Sequence, residues 1–238
     1  MPQPLTPETS SLQAPGYETK QESIPILGVS NLLIRSLLNK QQFHDPLNAA
    51  HDLGISSAFW SLFGLLWPSG SRLAERMALR PVANERILEI GCGLGLASLV
   101  GHRRGANITA SDCHPLAGEF LKANLRLNKL GPMNYRHGHW GHHQAQTQDT
   151  EVDGKFDLII GSDILYERDE RGDLAHYIND HLEDHAEVWV VDPNRGNRAH
   201  FHRNMTQQGF TVHEESLWME AQEHQVAYKG RMLTYSRD

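Results

Sequence analysis

Short apolar runs alternate with amphipathic stretches along most of the chain. The apolar runs predict strands over residues 86–90, 107–111, 156–161 and 186–191. The amphipathic stretches predict helices over residues 96–104, 116–127, 174–182 and 198–208, the last of them ended by Gly209. Two strand-like stretches, 210–217 and 225–235, follow with no helix between them. This alternation favours a doubly wound α/β fold: a mostly parallel sheet covered by helices on both faces, with an antiparallel C-terminal hairpin.

The N-terminal third has a different pattern. Residues 1–23 are rich in Pro, Ser, Thr, Gln and Glu, which predicts a disordered tail, and they lack the apolar block of a secretory signal. Apolar residues begin near Ile24, and residues 32–38 fit either a strand or a short helix. Pro68 suits the first turn of a helix. We therefore expect a tail over 1–23, an accessory segment and helix over 24–80, and the main domain over 81–238.

Charge and cysteine content narrow the possible partners. The 238 residues carry 22 Lys and Arg against 29 Asp and Glu, a formal charge of −7, which argues against a phosphate-binding surface and makes nucleic acid an improbable partner. A local patch that grips RNA stays open. Two cysteines make no disulfide framework and favour a reducing compartment. The chain has no apolar run long enough to span a membrane, and we expect a monomeric, cytoplasmic protein.

The most informative motif is a glycine-rich turn between the first predicted strand and helix, formed by Gly91, Cys92, Gly93, Leu94 and Gly95. Glycines there let backbone N–H groups approach a ligand, although a turn that binds nothing is the alternative. The dinucleotide pattern G-x-G-x-x-G fails, because Leu96 occupies its last position. With Glu89, the spacing E-x-G-x-G-x-G instead resembles motif I of class I methyltransferases, whose cofactor is S-adenosylmethionine.

Two carboxylates accompany this turn. Asp112 ends the second predicted strand, where a carboxylate accepts hydrogen bonds from both ribose hydroxyls of a nucleotide. The alternative for Asp112 is a surface residue or a helix N-cap ahead of Pro115, and both roles can hold at once. Glu89 is placed either to bind the methionyl ammonium group or to anchor the turn by hydrogen bonds, and the sequence leaves both roles open.

Further motifs extend the resemblance over about residues 55–236. Besides motif I and Asp112 they are Trp67-Pro68-Ser69, Trp140 and the run Ser162-Asp163-Ile164-Leu165-Tyr166. Together they resemble the seven-β-strand protein-lysine methyltransferases. The resemblance implies a Rossmann-like sheet of seven strands, S-adenosylmethionine as cofactor, and a protein substrate methylated on lysine. The alternatives are a methyltransferase for a small molecule or RNA, and a cofactor-binding protein without catalysis.

The resemblance also implies roles for single residues. Trp67 would border the methionine end of the cofactor, Trp140 would pack on its adenine, and Ser162 would lie beside it. Asp163 and Tyr166 would form the methyl-acceptor site, with Asp163 orienting a neutral amine and Tyr166 walling the channel. From the residues alone, Trp67 fits a core position equally well and Asp163 fits a helix cap.

Two positions depart from the pattern of the family. His139 precedes Trp140 where relatives more often place Asp or an apolar residue. Asn194 replaces the glycine of an Asp-Pro-Gly-Arg stretch found in enzymes that modify the electron-transfer flavoprotein β subunit.

The chain has 15 histidines, with His137, His139, His142 and His143 near Trp140. No cysteine or carboxylate joins them at ligand spacing, so we expect no metal site.

Overall fold

The structure is a computed structural model that describes residues 16–141, 151–221 and 226–237. An N-terminal β-hairpin leads through short helices into a strand-and-helix alternation. In chain order the elements are β1 (Thr19–Ile26), β2 (Val29–Leu37), α1 (Ala49–Asp52), a 3₁₀ helix (Trp60–Gly64), α2 (Pro68–Leu79), β3 (Arg86–Ile90), α3 (Leu96–Arg103), β4 (Asn107–Asp112), α4 (Ala117–Leu127), β5 (Asn134–His137), β6 (Phe156–Ser162), α5 (Asp173–Asp180), β7 (Leu182–Asp192), α6 (Arg198–Gln207), β8 (Thr211–Met219) and β9 (Tyr228–Ser236).

A seven-stranded sheet forms the centre, in the order β5-β4-β3-β6-β7-β9-β8. The pairs from β5 to β7 are parallel, whereas β9 pairs antiparallel with both β7 and β8. The predicted fold class is therefore confirmed. The order reverses at β3, and in open α/β sheets a ligand binds beside such a reversal, at the carboxyl ends of the strands.

The core has two layers because neighbouring strand residues face opposite sides of the sheet. On β6, Leu158 and Ile160 join the layer under α2, α3 and α4, while Ile159 joins the layer under α5 and α6. Trp189 on β7 is only 5% exposed and lies in the first layer. Its position inside the apolar run 186–191 accounts for this burial.

The N-terminal hairpin corrects the predicted tail. Residues 19–23 were assigned to it, but they lie in β1, which pairs antiparallel with β2. Most β1 side chains are exposed, so the strand is held by pairing and its polar composition gave no burial signal. The segment 32–38, left open between strand and helix, lies largely in strand β2. Residues 1–15 of the predicted tail lie outside the described residues.

Two other differences concern the main sheet. The short edge strand β5 was absent from the predicted strands, because four polar or half-buried residues carry no apolar run. The helix predicted over 174–182 ends at Asp180 in α5, since β7 already begins at Leu182. Among the helices of the described residues, none is long and apolar enough to cross a membrane.

Candidate functional site

A cavity of about 700 Å³ opens at the carboxyl ends of β3, β4 and β6. Its volume lies within the roughly 300–1,000 Å³ typical of small-molecule sites. The structure brings every site residue suggested by the sequence to its wall, namely Trp67, Glu89, Gly91, Cys92, Gly93, Gly95, Asp112, Trp140, Ser162, Asp163 and Tyr166. Residues from distant parts of the chain thus share one space, while their individual roles stay predictions.

The glycine turn forms the floor of this cavity. Gly91, Gly93 and Gly95 have φ angles of 57°, 52° and 69°, the left-handed region that favours glycine. A Cβ atom on Gly93 would lie 2.8 Å from the backbone oxygen of Phe63. The turn therefore needs glycine at this position both for its backbone conformation and for the approach of the 3₁₀ helix.

Glu89 anchors the start of α3. Its carboxylate is buried and accepts hydrogen bonds from the Ser98 backbone N–H, at 2.8 Å, and from the Ser98 hydroxyl. The N–H groups of the first turn of a helix have no partner within the helix, so Glu89 satisfies one of them. Burial, opposed by the Ser98 hydrogen bonds, raises the pKa of Glu89 to about 7. The anchoring alternative is thus realised, in a residue that also lines the cavity.

Asp112 joins two turns. Its Oδ2 accepts a hydrogen bond from the Gly93 N–H and its Oδ1 accepts one from the His114 N–H, both at 2.8 Å. Burial raises the pKa of this carboxyl group. The alternative that Asp112 caps the next helix is wrong, since the N-cap of α4 is Leu116, whose N–H donates to His114 Nδ1. Each carboxylate oxygen retains a lone pair for a ligand.

The two tryptophans are both partly buried. Trp67 lies at the N-cap of α2, and its indole N–H donates to the Leu62 carbonyl at 2.9 Å. Trp140 contacts Tyr177 edge to face, with ring centroids 6.1 Å apart. A Cβ atom on Gly91 would lie 3.4 Å from the Trp140 ring, so this indole lies close to the glycine turn.

Asp163 follows β6 and pairs with Arg195, which follows β7. Arg195 Nη2 lies 3.0 Å from Asp163 Oδ1, while Asp163 Oδ2 is buried and has no hydrogen-bond partner among the described residues. The φ angle of Asp163 is 58°, and left-handed non-glycine residues concentrate at functional sites. The helix-cap alternative is wrong, because α5 begins only at Asp173 and its first N–H groups bond to Asp169.

Tyr166 lies in an irregular bend after β6 and not in a helix. Its ring centroid lies 6.0 Å from that of Phe59, and its side chain is 42% exposed. Both rings line the cavity. The two rings therefore form a partly exposed aromatic part of the cavity wall.

Several residues that line the cavity belong to no recognised motif, so the sequence did not single them out. They include Phe59, Phe63, His114 and Arg195. His114 stacks on Phe63 with ring centroids 3.7 Å apart, and burial lowers the pKa of His114 to about 3, so the imidazole is neutral at physiological pH. The apolar run 59–67 was the one available signal for the phenylalanines. Arg195 was noted only within the Asp192–Arg195 stretch.

No group of three or more His, Cys, Asp or Glu residues suitable for a metal occurs within 16–141, 151–221 and 226–237. His142 and His143 of the histidine cluster lie outside the described residues. His176 and His181 each bond a backbone carbonyl four residues earlier, at 2.9 and 2.8 Å. The Nδ1 atom of each ring is therefore hydrogen-bonded to backbone in or next to α5.

Comparison with known proteins shows the family of this chain. The family model described as lysine methyltransferase matches residues 61–208, more than half of the chain. An electron transfer flavoprotein beta subunit lysine methyltransferase of Xenopus laevis is 28% identical over 141 residues, 58% of this chain and 53% of that protein. Protein N-lysine methyltransferase METTL21A of Mus musculus is 28% identical over 72% of this chain and 82% of its own length.

The chain spans about half the length of the first curated relatives it matches. Among solved structures, a precorrin-6y C5,15-methyltransferase of Geobacter metallireducens aligns with a TM-score of 0.54 and 11% identity. The alignment covers 71% of this chain and 87% of that one. At this identity the likeness shows the shared fold alone.

Proposed function

The chain belongs to the lysine methyltransferase family, and from this premise we propose that it transfers a methyl group from S-adenosylmethionine to a lysine side chain of a protein substrate. One observation carries the proposal. The Asp163 carboxylate and the glycine turn line the same cavity, so an acceptor amine and a cofactor can meet inside it. Holding two reactants in such a geometry supplies up to about 7–11 kcal/mol of a reaction barrier.

The residues present fit S-adenosylmethionine. Gly91, Gly93 and Gly95 line the cavity with backbone that carries no side chain, and Asp112 retains acceptor capacity for ribose hydroxyls. Burial disfavours the ionised forms of the Glu89 and Asp112 carboxyl groups and so raises their pKa values, and a cation bound in the cavity would stabilise those ionised forms. When bound, S-adenosylmethionine supplies a methyl group on a sulfonium, and attack by the amine lone pair breaks the carbon–sulfur bond with its electron pair left on sulfur.

The acceptor side follows from the properties of lysine. A free lysine amine has a pKa near 10.4 and is mostly protonated at neutral pH, so it lacks the lone pair that the reaction requires. Desolvation against Phe59 and Tyr166, beside a cationic cofactor, lowers that pKa. Asp163 then accepts an N–H hydrogen bond from the neutral amine and orients its lone pair. The aromatic faces stabilise the positive charge that develops on nitrogen.

A protein substrate is favoured by the family and by the names of the relatives. The relative from Xenopus laevis is named for the electron transfer flavoprotein β subunit, which makes that protein the first candidate to test. The test incubates the chain with methyl-labelled S-adenosylmethionine and either that recombinant protein or cell lysate, followed by mass spectrometry of labelled residues. We expect label on lysine. Label confined to small molecules or RNA would contradict the proposal. If calorimetry shows no binding of S-adenosylmethionine, the chain has no methyltransferase activity on any substrate.

Asp163→Asn is the informative variant. Asparagine tolerates the left-handed backbone of this position, so the fold is retained while the carboxylate is lost. We expect the single-turnover rate to fall by about 10²-fold or more, with cofactor affinity changed by less than about threefold. Asp153→Asn, at an exposed aspartate, is the matched control. Equal rates for Asp163→Asn and wild type at saturating cofactor would refute the assigned role.

A further inference from the structure

A chain of contacts fixes Arg195 beside the acceptor carboxylate. Asp192, fully buried at the end of β7, accepts a hydrogen bond from the Arg195 backbone N–H at 2.9 Å through Oδ2. The Arg195 side chain then reaches Asp163 Oδ1 at 3.0 Å. The two paired side chains are 34% and 11% exposed, so the pair is partly shielded from water. Arg195 itself lines the cavity.

The pairing of Arg195 with Asp163 counteracts an unfavourable effect of the Asp163 carboxylate on the acceptor lysine. A carboxylate next to the acceptor stabilises the ammonium form of lysine, which has no lone pair and does not react. A guanidinium bonded to the same carboxylate opposes this effect with its positive charge. Asp163 still has unfilled acceptor positions, since its Oδ2 has no hydrogen-bond partner within the described part of the chain. The carboxylate thus keeps its capacity to orient an N–H group and loses much of its attraction for a cation.

We propose that Arg195 is a positioning residue that holds Asp163 and keeps it from trapping the acceptor lysine as an ammonium ion. The inference rests on the proposed function, because it concerns the acceptor amine. It predicts that Arg195 sets the pH at which the acceptor becomes reactive. A purely structural arginine would change the amount of folded protein without moving that pH.

Other charged groups surround the pair, and all of them except Arg198 are left unchanged in the variants below. Asp192 and Arg198 approach from β7 and α6, and Tyr228 of β9 hydrogen-bonds to Ser69 of α2 at 3.0 Å. Arg72 of α2 acts on Tyr228 through its charge. Arg198 bonds Asn194 and pairs with Glu214, so its positive charge is close to the site without a contact to Asp163. Arg198 is therefore the matched control for the loss of one positive charge.

The experiment compares wild type, Arg195→Gln, Arg195→Lys and Arg198→Gln. The first readout is the single-turnover rate of methyl transfer from about pH 6 to pH 10. The substrate is the protein that the wild-type enzyme methylates in the labelling test. We expect the pH of half-maximal rate to rise by about 1 unit in Arg195→Gln. Arg195→Lys keeps the positive charge and so restores most of that shift, while Arg198→Gln superimposes on wild type.

The second readout needs no turnover. Binding of n-butylamine, which has the end of a lysine side chain, is measured by calorimetry on protein loaded with S-adenosylhomocysteine. At pH 7 we expect Arg195→Gln to bind the butylammonium ion about tenfold more tightly than wild type, the equivalent of 1 pKa unit. Equal affinities together with superimposed pH profiles would overturn the inference alone. A wild-type chain that labels no lysine at any pH overturns the proposed function and the inference with it.

Discussion

The Asp112 carboxylate accepts a hydrogen bond from the Gly93 N–H across 2.8 Å, which joins the end of β4 to the turn that follows β3. The bond holds the turn in the left-handed conformation that brings its backbone to the cavity. The other carboxylate oxygen of Asp112 accepts a hydrogen bond from the His114 N–H. One carboxylate therefore shapes the cavity wall and also retains acceptor positions for a ligand.

Removal of this carboxylate is expected to weaken both stability and cofactor binding. Asp112→Ala leaves the Gly93 and His114 N–H groups without their charged acceptor, each bond being worth about 1.5–3 kcal/mol. We expect affinity for S-adenosylmethionine, measured by calorimetry, to fall at least about tenfold. Asp112→Asn keeps one acceptor oxygen and should lie between Ala and wild type. An affinity for Asp112→Ala equal to that of the surface control Asp153→Asn would contradict this assignment.

Glu89 is expected to make stability depend on pH. Its folded pKa of about 7 lies above the ordinary value of 4.5 because of burial. The unfolded chain therefore loses this proton first, so the stabilising contribution is complete below pH 4.5 and is lost as the pH rises through about 7. The full loss is about 3 kcal/mol. Glu89→Gln lacks the ionisation and should gain stability relative to wild type as the pH rises. Urea unfolding at several pH values tests this, and a constant difference between the two proteins would disprove it.

Gly93→Ala is expected to destabilise the turn. Alanine at a φ of 52° costs about 1–2 kcal/mol, and its Cβ atom would also press on the Phe63 carbonyl 2.8 Å away. We expect a loss of about 2 kcal/mol or more in the free energy of unfolding, together with weaker cofactor binding. Gly131→Ala is the control, because a Cβ there meets no described atom within 4 Å. Equal unfolding midpoints for the two variants would show that the turn tolerates a side chain.

The sequence predicted the interior of the sheet well because its strands are buried on both faces and appear as apolar runs. Strand β3 has its predicted bounds, Arg86–Ile90, and the glycine motif falls directly after it. Polar strands gave no such signal, so β1 and β5 were missed. The pairing of Asp163 with Arg195 was also out of reach, because it depends on β6 and β7 being neighbours in the sheet.

The N-terminal hairpin of β1 and β2, which the sequence did not predict, is attached to the domain by asparagine side chains. Asn124 of α4 accepts from the Arg35 N–H at 2.7 Å and donates to the Arg35 carbonyl, so its amide continues the edge of β2. Asn128 does the same for Leu33. Asn124→Ala leaves two backbone groups unpaired, and we expect a loss of about 2 kcal/mol.

Hydrogen exchange is the direct measurement for this contact. The Arg35 amide should lose protection in Asn124→Ala, whereas Lys122→Ala, at an exposed position of the same helix, should leave it unchanged. Unchanged Arg35 protection in Asn124→Ala would mean that the Asn124 amide is not needed to hold β2.

Asn194 stands where the similar Asp-Pro-Gly-Arg stretch has glycine. Its φ angle is 62°, a conformation that glycine adopts freely and asparagine tolerates better than other side chains. Asn194→Gly should therefore keep Arg195 in place and hold the methyl-transfer rate within about twofold, despite loss of the exposed bond to Arg198.

Asn194→Val should behave differently. A β-branched residue in this conformation costs about 1–2 kcal/mol and is relieved by a change in the turn that carries Arg195. We then expect the pH of half-maximal rate to move towards that of Arg195→Gln, because Asp163 loses its partner. Single-turnover rates of both Asn194 variants across the same pH range make the comparison. If the valine variant folds, binds cofactor and keeps the wild-type pH profile, the turn does not govern the Arg195–Asp163 pair.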